Sequence, residues 1–125
     1  MKKILLIEDE ELLAKMYQDK FERAGFKIFL SRTAEEGVEV AKKERPDLVV
    51  LDIILPNNDG LYFLRKIRQE KSEIKDIPVI AFSNYDNPET RREAYTLGVN
   101  EYIIKANHDP EEVVSKIRQH FSNQE

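Results

Sequence analysis

The most informative stretch of this chain is LVVLDIILPNNDG, residues 48–60. Its first four residues, Leu48–Leu51, form an unbroken apolar run that ends at Asp52. Runs of this kind are typical of strands buried on both faces, as the strands of a parallel sheet are. Taken alone, Asp52 is equally well explained as a turn residue at the end of such a strand, before Pro56.

Four more apolar runs predict four more strands. Ile4–Ile7 and Val79–Phe82 are as continuous as the first run, whereas Phe26–Leu30 and Tyr102–Ile104 are less regular. Together with Leu48–Leu51 they give five strands distributed over the whole chain.

Five segments with helical spacing separate and follow these runs. The first carries Leu13, Met16, Tyr17 and Phe21 on one face, and Gly25 after it is suited to end a helix. The other four are marked by capping residues, by proline in the first turn or by glycine at the end. These signals are Thr33 with Glu36 as a capping box, Asp59, Asn87-Pro88 with Gly98, and Asp109-Pro110 with Glu112.

The alternation of strand and helix predicts one α/β domain over residues 1–125. Strict alternation produces a parallel sheet covered by helices on both faces. Among the topologies that right-handed crossovers allow, we expect the doubly wound, flavodoxin-like (βα)5 sandwich with strand order 2-1-3-4-5. Ligands of such sheets bind beyond the carboxyl ends of the strands, at the switch point between strands 1 and 3.

Composition excludes several classes of function. The net charge is −4 and no cluster of lysine and arginine stands out, which argues against nucleic-acid binding. The chain has 0 cysteines, so disulfides, thiolate catalysis and cysteine-based metal sites are excluded. The first apolar run, Ile4–Ile7, is too short for a signal peptide or a membrane span. We therefore expect a cytoplasmic protein without a membrane partner.

Polar side chains follow the strands at the predicted carboxyl edge. They are Glu8 and Asp9 after strand 1, Asp52 after strand 3, Ser83 after strand 4 and Lys105 after strand 5. Three carboxylates this close repel one another unless a cation joins them, and oxygen ligands of high charge suit Mg²⁺. A carboxylate can be the nucleophile of phosphoryl transfer, while a metal, an ammonium and a hydroxyl neutralise the phosphoryl oxygens. Asp52, at the centre of the sheet, is the best candidate for that nucleophile.

Each of these residues also has an ordinary explanation. Acidic residues at positions 8–11 suit the first turn of a helix. Ser83 and Lys105, taken singly, are more often solvated surface residues than parts of a site. Only the coincidence of all five at four strand ends favours a functional site.

Four motifs give the chain a family resemblance. They are ILLIEDE (4–10), LVVLDIILPNNDG (48–60), IPVIAFSN (77–84) and GVNEYIIK (98–105). In this order and at this spacing, the sequence resembles the receiver domain of bacterial two-component response regulators over essentially its whole length. The resemblance implies a signalling switch that catalyses its own phosphorylation at Asp52 and is reset by hydrolysis, rather than an enzyme with a separate substrate.

The resemblance also implies a metal site. Mg²⁺, with Mn²⁺ as an alternative, would bind Asp9 and Asp52 directly and Glu8 through a water molecule. The backbone carbonyl of Ile54 would complete the protein's share of the metal ligands.

It further implies how a phosphoryl group would be sensed. Ser83 would bond a phosphoryl oxygen, and Lys105 would pair with the phosphoryl group or, in its absence, with Asp52. Tyr102 matches the aromatic switch position, which turns inward as Ser83 is drawn to the phosphoryl group.

Protein partners follow from the same resemblance. A sensor histidine kinase or a His-phosphotransfer protein would donate the phosphoryl group, docking along the first helix. Leu12, Leu13 and Met16 give this helix more apolar side chains than one core stripe requires, although core packing also explains Leu13 and Met16. The output partner is an unknown protein. Only Ser122–Glu125 follow the last predicted helix, which favours a stand-alone regulator over one with an attached output domain.

Two departures from the family pattern affect the site. The family usually has a cis proline after the lysine, where this chain has Ala106. Because a cis bond before a non-proline residue costs about 2.5–4 kcal/mol, we expect Lys105-Ala106 to be trans with a reshaped loop, or cis under strain. Ile54 and Tyr85 are unusually apolar for positions that control the access of water, which predicts slow loss of the phosphoryl group.

Three other functions share parts of this pattern. A phosphatase with an aspartate nucleophile would place a second acid two residues after Asp52, where this chain has Ile54. A flavin-binding electron carrier would need a phosphate-binding loop after strand 1, where Glu8–Glu11 would repel the phosphate. A receiver-like module that never takes phosphate would not need the complete set of site residues. His108 and His120 are expected to be surface residues, since neither follows a strand.

Overall fold

The computed structural model describes residues 1–55, 60–71, 73–84 and 86–123, and in these residues strands alternate with helices. The strands are β1 (Lys3–Ile7), β2 (Lys27–Ser31), β3 (Leu48–Leu51), β4 (Val79–Ser83) and β5 (Glu101–Ile104). The helices are α1 (Glu11–Arg23), α2 (Ala34–Glu44), α3 (Gly60–Arg68), α4 (Pro88–Thr96) and α5 (Pro110–Ser122). Two short 3₁₀ turns, Glu73–Asp76 and Lys105–Asn107, precede β4 and α5.

The strands form one parallel sheet in the order β2-β1-β3-β4-β5, which confirms the predicted topology. Leu5 of β1 lies opposite Phe29 of β2 on one side and Val49 of β3 on the other. The chain therefore extends the sheet outward in both directions from the β1–β3 pair. The carboxyl ends of β1, β3, β4 and β5 consequently lie along one edge.

Helices cover both faces of the sheet, and each face has its own apolar cluster. On one face, α1 and α5 contribute Tyr17, Phe21, Val113, Ile117 and Phe121. On the other face, α2, α3 and α4 contribute Val38, Ala41, Phe63, Leu64, Ile67 and Ala94. All four residues of β3 are buried, as expected for a central strand with helices on both sides. Among the described residues, no helix has both the length and the apolar character needed to cross a bilayer.

The end of α1 is closed by a glycine in the left-handed conformation. Gly25 has φ +99°, and its N–H donates to the carbonyl of Glu22 at 3.0 Å. The N–H of Phe26 donates to the carbonyl of Phe21 at 3.1 Å. Because this bond uses the N–H of Phe26, β2 begins at Lys27, one residue later than predicted.

Side-chain caps begin α2 and α5. Thr33 accepts a hydrogen bond from the N–H of Glu36 at 3.1 Å, but the carboxylate of Glu36 accepts from the N–H of Arg32. Only half of the predicted capping box therefore forms at α2. At α5, Asp109 and Glu112 form the complete box.

One arginine fastens α3 to the segments on either side of β4. The guanidinium of Arg68 donates to the carbonyls of Lys75 and Ile77 at 2.8 and 2.9 Å. It also donates to the carbonyls of Leu97 and Gly98 at 2.9 and 3.0 Å. Since Leu97 and Gly98 follow the last turn of α4, Arg68 satisfies carbonyls that the helix itself leaves unpaired.

We expect Arg68→Ala to lower the free energy of unfolding by about 2–3 kcal/mol, because several carbonyls would lose a charged donor. Arg68→Lys should recover only part of this loss, since an ammonium cannot reach four carbonyls as a planar guanidinium does. Urea titration followed by circular dichroism measures both values. Arg65→Ala is the control: Arg65 is on the same helix and pairs with exposed Glu93. Equal losses for Arg65 and Arg68 would contradict this role of Arg68.

Candidate functional site

A cavity of about 710 Å³ opens at the carboxyl edge of the sheet, at the predicted switch point. Its lining residues come from the ends of β1, β3, β4 and β5, and they include all the acidic, hydroxyl and ammonium groups predicted for the site. The lining comprises Glu8, Asp9, Glu10, Asp52, Ile54, Leu55, Ser83, Asn84 and Lys105. The structure therefore brings together the groups that the sequence placed at this edge.

The sheet itself holds the acidic residues in place. The N–H of Glu8 donates to the carbonyl of Ser31 at 2.9 Å, and the N–H of Asp52 donates to the carbonyl of Ile7 at 3.0 Å. These bonds continue the β1–β2 and β1–β3 ladders by one residue beyond the strands. The backbones of Glu8 and Asp52 are consequently fixed side by side at the ends of the adjacent strands β1 and β3.

Three carboxylates meet in this cavity. Glu8, Asp9 and Asp52 each offer an oxygen, and these oxygens lie within 4.8 Å of one another. Glu8 and Asp52 are buried, whereas Asp9 is half-buried at the mouth. An all-oxygen set of this charge suits a hard divalent cation. The cluster could therefore hold a metal ion.

Lys105 joins two of these carboxylates. Its Nζ lies 2.6 Å from Oε1 of Glu8 and 3.1 Å from Oδ2 of Asp52. The same ammonium lies 5.2 Å from the centre of the Phe82 ring, which leaves it little access to water. In this state the ammonium partly neutralises the acidic cluster.

Burial and pairing compete in setting the charges of this cluster. Burial raises the pKa of the Glu8 carboxyl above its ordinary value, and the hydrogen bond and charge of Lys105 only partly offset this effect. For Lys105, burial alone would lower the pKa. The hydrogen bond that Lys105 donates to Glu8 and the charges of Asp52 and Glu8 outweigh burial and raise the pKa of Lys105.

The backbone of the loop after β3 and of the first residue of α3 contacts Asp52 closely. The N–H of Ile54 donates to Oδ1 of Asp52 at 3.0 Å. Gly60 begins α3 and its N–H donates to the carbonyl of Ile53 at 2.7 Å. A Cβ on Gly60 would lie 2.5 Å from the carbonyl oxygen of Asp52, so this close approach requires glycine. Gly60 was not predicted as a site residue, although its place at the end of the LVVLDIILPNNDG motif was a usable signal.

Ser83 and Tyr102 lie on neighbouring strands, and both are buried. The N–H of Tyr102 donates to the hydroxyl of Tyr95 at 3.2 Å. The guanidinium carbon of Arg91 lies 5.0 Å from the centre of the Tyr102 ring, close enough for a cation–π contact. The ring of Tyr102 thus already packs inward beneath α4 in this structure, the orientation that the resemblance expects once Ser83 is drawn to a phosphoryl group.

The peptide bond between Lys105 and Ala106 is trans. This outcome is the first of the two alternatives expected for a chain without proline at position 106. The reshaped loop is a 3₁₀ turn over Lys105–Asn107, and the N–H of Ala106 donates to Oδ1 of Asn84 at 2.8 Å. Asn84 was not predicted as a site residue, because nothing in the sequence pattern showed that the loop after β5 would present an N–H to it.

Several other predicted residues lie away from this cavity or outside the described residues. His108 lies 3.6 Å from the carboxylate of Glu112, and His120 lines a separate small cavity near α5. Neither histidine lines the acidic cavity. Tyr85, expected to limit the access of water, and Asp59, expected to cap α3, lie outside the described residues.

Relatives share this fold and sequence pattern. The alkaline phosphatase synthesis transcriptional regulatory protein PhoP of Bacillus subtilis is 32% identical over 117 residues, which are 94% of this chain and 47% of that protein. The chain spans about half the length of the first curated relatives that it matches.

Solved structures agree with the observed fold. A CheY-like receiver domain protein from Methanospirillum hungatei superposes with a TM-score of 0.90 at 24% identity, covering 99% of this chain and 96% of that one. The phosphorylated cyanobacterial phytochrome response regulator RcpA superposes with a TM-score of 0.79 at 26% identity, covering 94% and 89%.

The family model for the response regulator receiver domain matches residues 4–118. This range includes β2 to β5, all of β1 except its first residue, the acidic cluster and Lys105. The chain therefore belongs to the family of response regulator receiver domains.

Proposed function

We propose that this chain, over residues 1–125, is a phosphoacceptor switch in which a carboxylate oxygen of Asp52 accepts a phosphoryl group. One observation carries the proposal: the ammonium of Lys105 bridges Asp52 and Glu8 inside a cavity that also holds Asp9. This arrangement supplies a nucleophile, a cation binding site and a positive group at one point. Family membership and the phosphorylated relative RcpA support the same chemistry.

The transfer is a balanced displacement at phosphorus. An oxygen of Asp52 forms a bond to the phosphorus of a phosphohistidine as the bond from phosphorus to the imidazole nitrogen breaks. The electron pair of that bond returns to the imidazole of the donor, a sensor histidine kinase or His-phosphotransfer protein. Hydrolysis of the resulting acyl phosphate later regenerates Asp52. The chain catalyses only these two steps on itself and does not turn over a separate substrate.

Mg²⁺ fits the acidic cluster and belongs to the proposal, with Mn²⁺ as an alternative. Asp9, Asp52 and the backbone carbonyl of Ile54 would hold the ion, with Glu8 contributing through water. When bound, the ion would neutralise charge on the transferred phosphoryl oxygens. The three converging carboxylates, whose oxygens lie within 4.8 Å, are the structural support for this assignment.

Ser83 and Tyr102 would carry the signal to a partner protein. The hydroxyl of Ser83 would bond a phosphoryl oxygen, and the shift of β4 would change how Tyr102 packs beneath α4. The output protein, whose identity is open, would read the surface formed by α4, β5 and α5. A cytoplasmic location belongs to the same proposal, because the donor's phosphoryl group derives from ATP.

Incubation with acetyl phosphate and Mg²⁺, followed by intact-protein mass spectrometry, tests the proposal. We expect one phosphoryl group per chain, and none when EDTA removes the metal. Beryllofluoride with Mg²⁺ should change the NMR signals of Ser83 and Tyr102, since it mimics the acyl phosphate. Continuous turnover of acetyl phosphate without a covalent adduct would contradict the proposal and favour a phosphatase.

Ile54→Asn is expected to shorten the lifetime of the acyl phosphate. Ile54 is 51% exposed and lines the cavity beside Asp52, so a polar side chain there would replace an apolar barrier to water. Loss of phosphoryl mass with time, after removal of the donor, measures the lifetime. Leu12→Asn is the control, because Leu12 is also a large apolar residue, is still more exposed at 81%, and lies outside the cavity. An unchanged lifetime in Ile54→Asn would rule out this role for Ile54.

A further inference from the structure

One hydrogen bond links the two loops that carry the site's hydroxyl and ammonium groups. The side-chain oxygen of Asn84 accepts the N–H of Ala106 at 2.8 Å. Asn84 directly follows Ser83 at the end of β4, and Ala106 directly follows Lys105 at the end of β5. The bond therefore runs between the immediate neighbours of two residues that line the cavity.

The donor of this bond exists only because residue 106 is not proline. Proline has no N–H, whereas Ala106 presents one in the trans 3₁₀ turn over Lys105–Asn107. The turn's internal hydrogen bond, from the N–H of His108 to the carbonyl of Lys105, is long at 3.3 Å. The bond that Asn84 accepts from Ala106 is therefore shorter than the bond within the turn.

Lys105 needs a fixed backbone if its ammonium is to contact the carboxylates of both Glu8 and Asp52. Its ammonium lies 2.6 Å from Glu8 and 3.1 Å from Asp52, and the backbones of both acidic residues are fixed by the sheet. A lysine side chain has four rotatable bonds, so its aim depends on where the peptide that carries it is held. The peptide group between Lys105 and Ala106 is the one that Asn84 holds.

We propose that Asn84 is a positioning residue that aims Lys105 by holding the N–H of Ala106. The inference rests on the proposed phosphoryl transfer and adds a residue that acts through Lys105 rather than on the phosphoryl group. Because Asn84 moves with Ser83, it also joins the loop after β4 to the loop after β5. A phosphoryl group that draws Ser83 inward would thereby shift the backbone of Lys105 in the same step.

Two quantities should respond in different ways to Asn84→Ala. The phosphorylation rate with acetyl phosphate at saturating Mg²⁺ should fall about fivefold, the factor expected for one neutral hydrogen bond. The affinity for Mg²⁺ should stay the same or rise, because a less well aimed ammonium competes less with the ion for Glu8 and Asp52. General damage to the site would instead lower both quantities.

The experiment measures the rate by intact-protein mass spectrometry and the Mg²⁺ affinity by calorimetry. Asn84→Asp keeps an oxygen that can accept the N–H of Ala106 and should restore most of the rate at saturating Mg²⁺. Asn107→Ala, an exposed asparagine in the same turn, is the matched control and should leave the rate unchanged. Thermal unfolding establishes that each variant is folded before its rate is compared.

Ala106→Pro removes the same bond from the donor side. In that background Asn84→Ala should have no further effect on the rate, since the two changes delete one interaction. A rate within twofold of wild type in Asn84→Ala, or a parallel fall in rate and Mg²⁺ affinity, would overturn the inference while leaving the proposed function intact. If the wild-type chain takes no phosphoryl group at all, the proposed function fails and this inference fails with it.

Discussion

Asp52→Asn is expected to abolish phosphoryl uptake from acetyl phosphate while leaving the fold intact. The amide is neutral and is not a nucleophile toward phosphorus, so no acyl phosphate can form. The amide oxygen can still accept the N–H of Ile54, which now donates to Oδ1 of Asp52. Lys105 would keep its contact with Glu8. Intact-protein mass spectrometry measures uptake, and circular dichroism measures the fold.

The same substitution at an exposed aspartate provides the control. Asp19, in α1, pairs with Arg23 on the surface, and both side chains are more than half exposed. Asp19→Asn should take up a phosphoryl group at the wild-type rate. Undiminished uptake in Asp52→Asn, with the adduct at another carboxylate, would assign the phosphoacceptor role to that carboxylate.

Lys105→Ala is expected to destabilise the metal-free protein by about 3 kcal/mol, because it leaves two buried carboxylates facing each other without their shared cation. The side chains of Glu8 and Asp52 are only 3% and 9% exposed, so solvent screens their mutual repulsion poorly. Urea titration in EDTA measures this loss. The double variant Glu8→Gln/Lys105→Ala should recover part of it, since one of the two uncompensated charges is then removed.

Mg²⁺ should bind more tightly to Lys105→Ala than to the wild-type protein. A unit charge pair about 4 Å apart is worth about 1 kcal/mol even in bulk water, and a divalent ion about twice that. We therefore expect at least a roughly tenfold gain in affinity by calorimetry. Saturating Mg²⁺ should accordingly restore most of the lost stability. Phosphoryl uptake should nevertheless fall, because the ammonium no longer neutralises a phosphoryl oxygen.

Lys116→Ala is the matched control for these measurements. Lys116 lies 3.6 Å from Glu101, and both side chains are more than one third exposed, so their pairing contributes little. The control should show neither a large loss of stability nor tighter binding of Mg²⁺. Equal losses in Lys105→Ala and Lys116→Ala would show that the bridge between Glu8 and Asp52 does not stabilise the site.

The sequence was sufficient to predict the sheet because its signals are local and repeated. A buried parallel strand needs a continuous apolar run, and Leu48–Leu51 provides one that is buried along its whole length. Once five such runs alternate with helices, the crossover rules leave few topologies, and the observed order is among them. The acidic groups could then be predicted to meet at one edge of the sheet, because Glu8-Asp9 and Asp52 follow the ends of two strands.

The remaining details depend on partners that only the folded chain brings together. The carboxylate of Glu36 accepts from the N–H of Arg32 rather than from that of Thr33. The capping-box motif alone does not distinguish these two neighbouring donors. The contact of Asn84 with Ala106 joins two loops that are 22 residues apart. The direction of the Ala106 N–H depends on the trans peptide between Lys105 and Ala106, for which the sequence left two alternatives.

Reduction of the phosphorylated protein with borohydride is the most direct test of the phosphoacceptor. Borohydride converts an aspartyl phosphate to homoserine and leaves free carboxylates unchanged. After treatment with acetyl phosphate and Mg²⁺, peptide mass mapping should find homoserine at position 52 and aspartate retained at Asp9. Homoserine at another position, or a phosphoryl group that is stable to borohydride, would contradict the assignment of Asp52 as the phosphoacceptor.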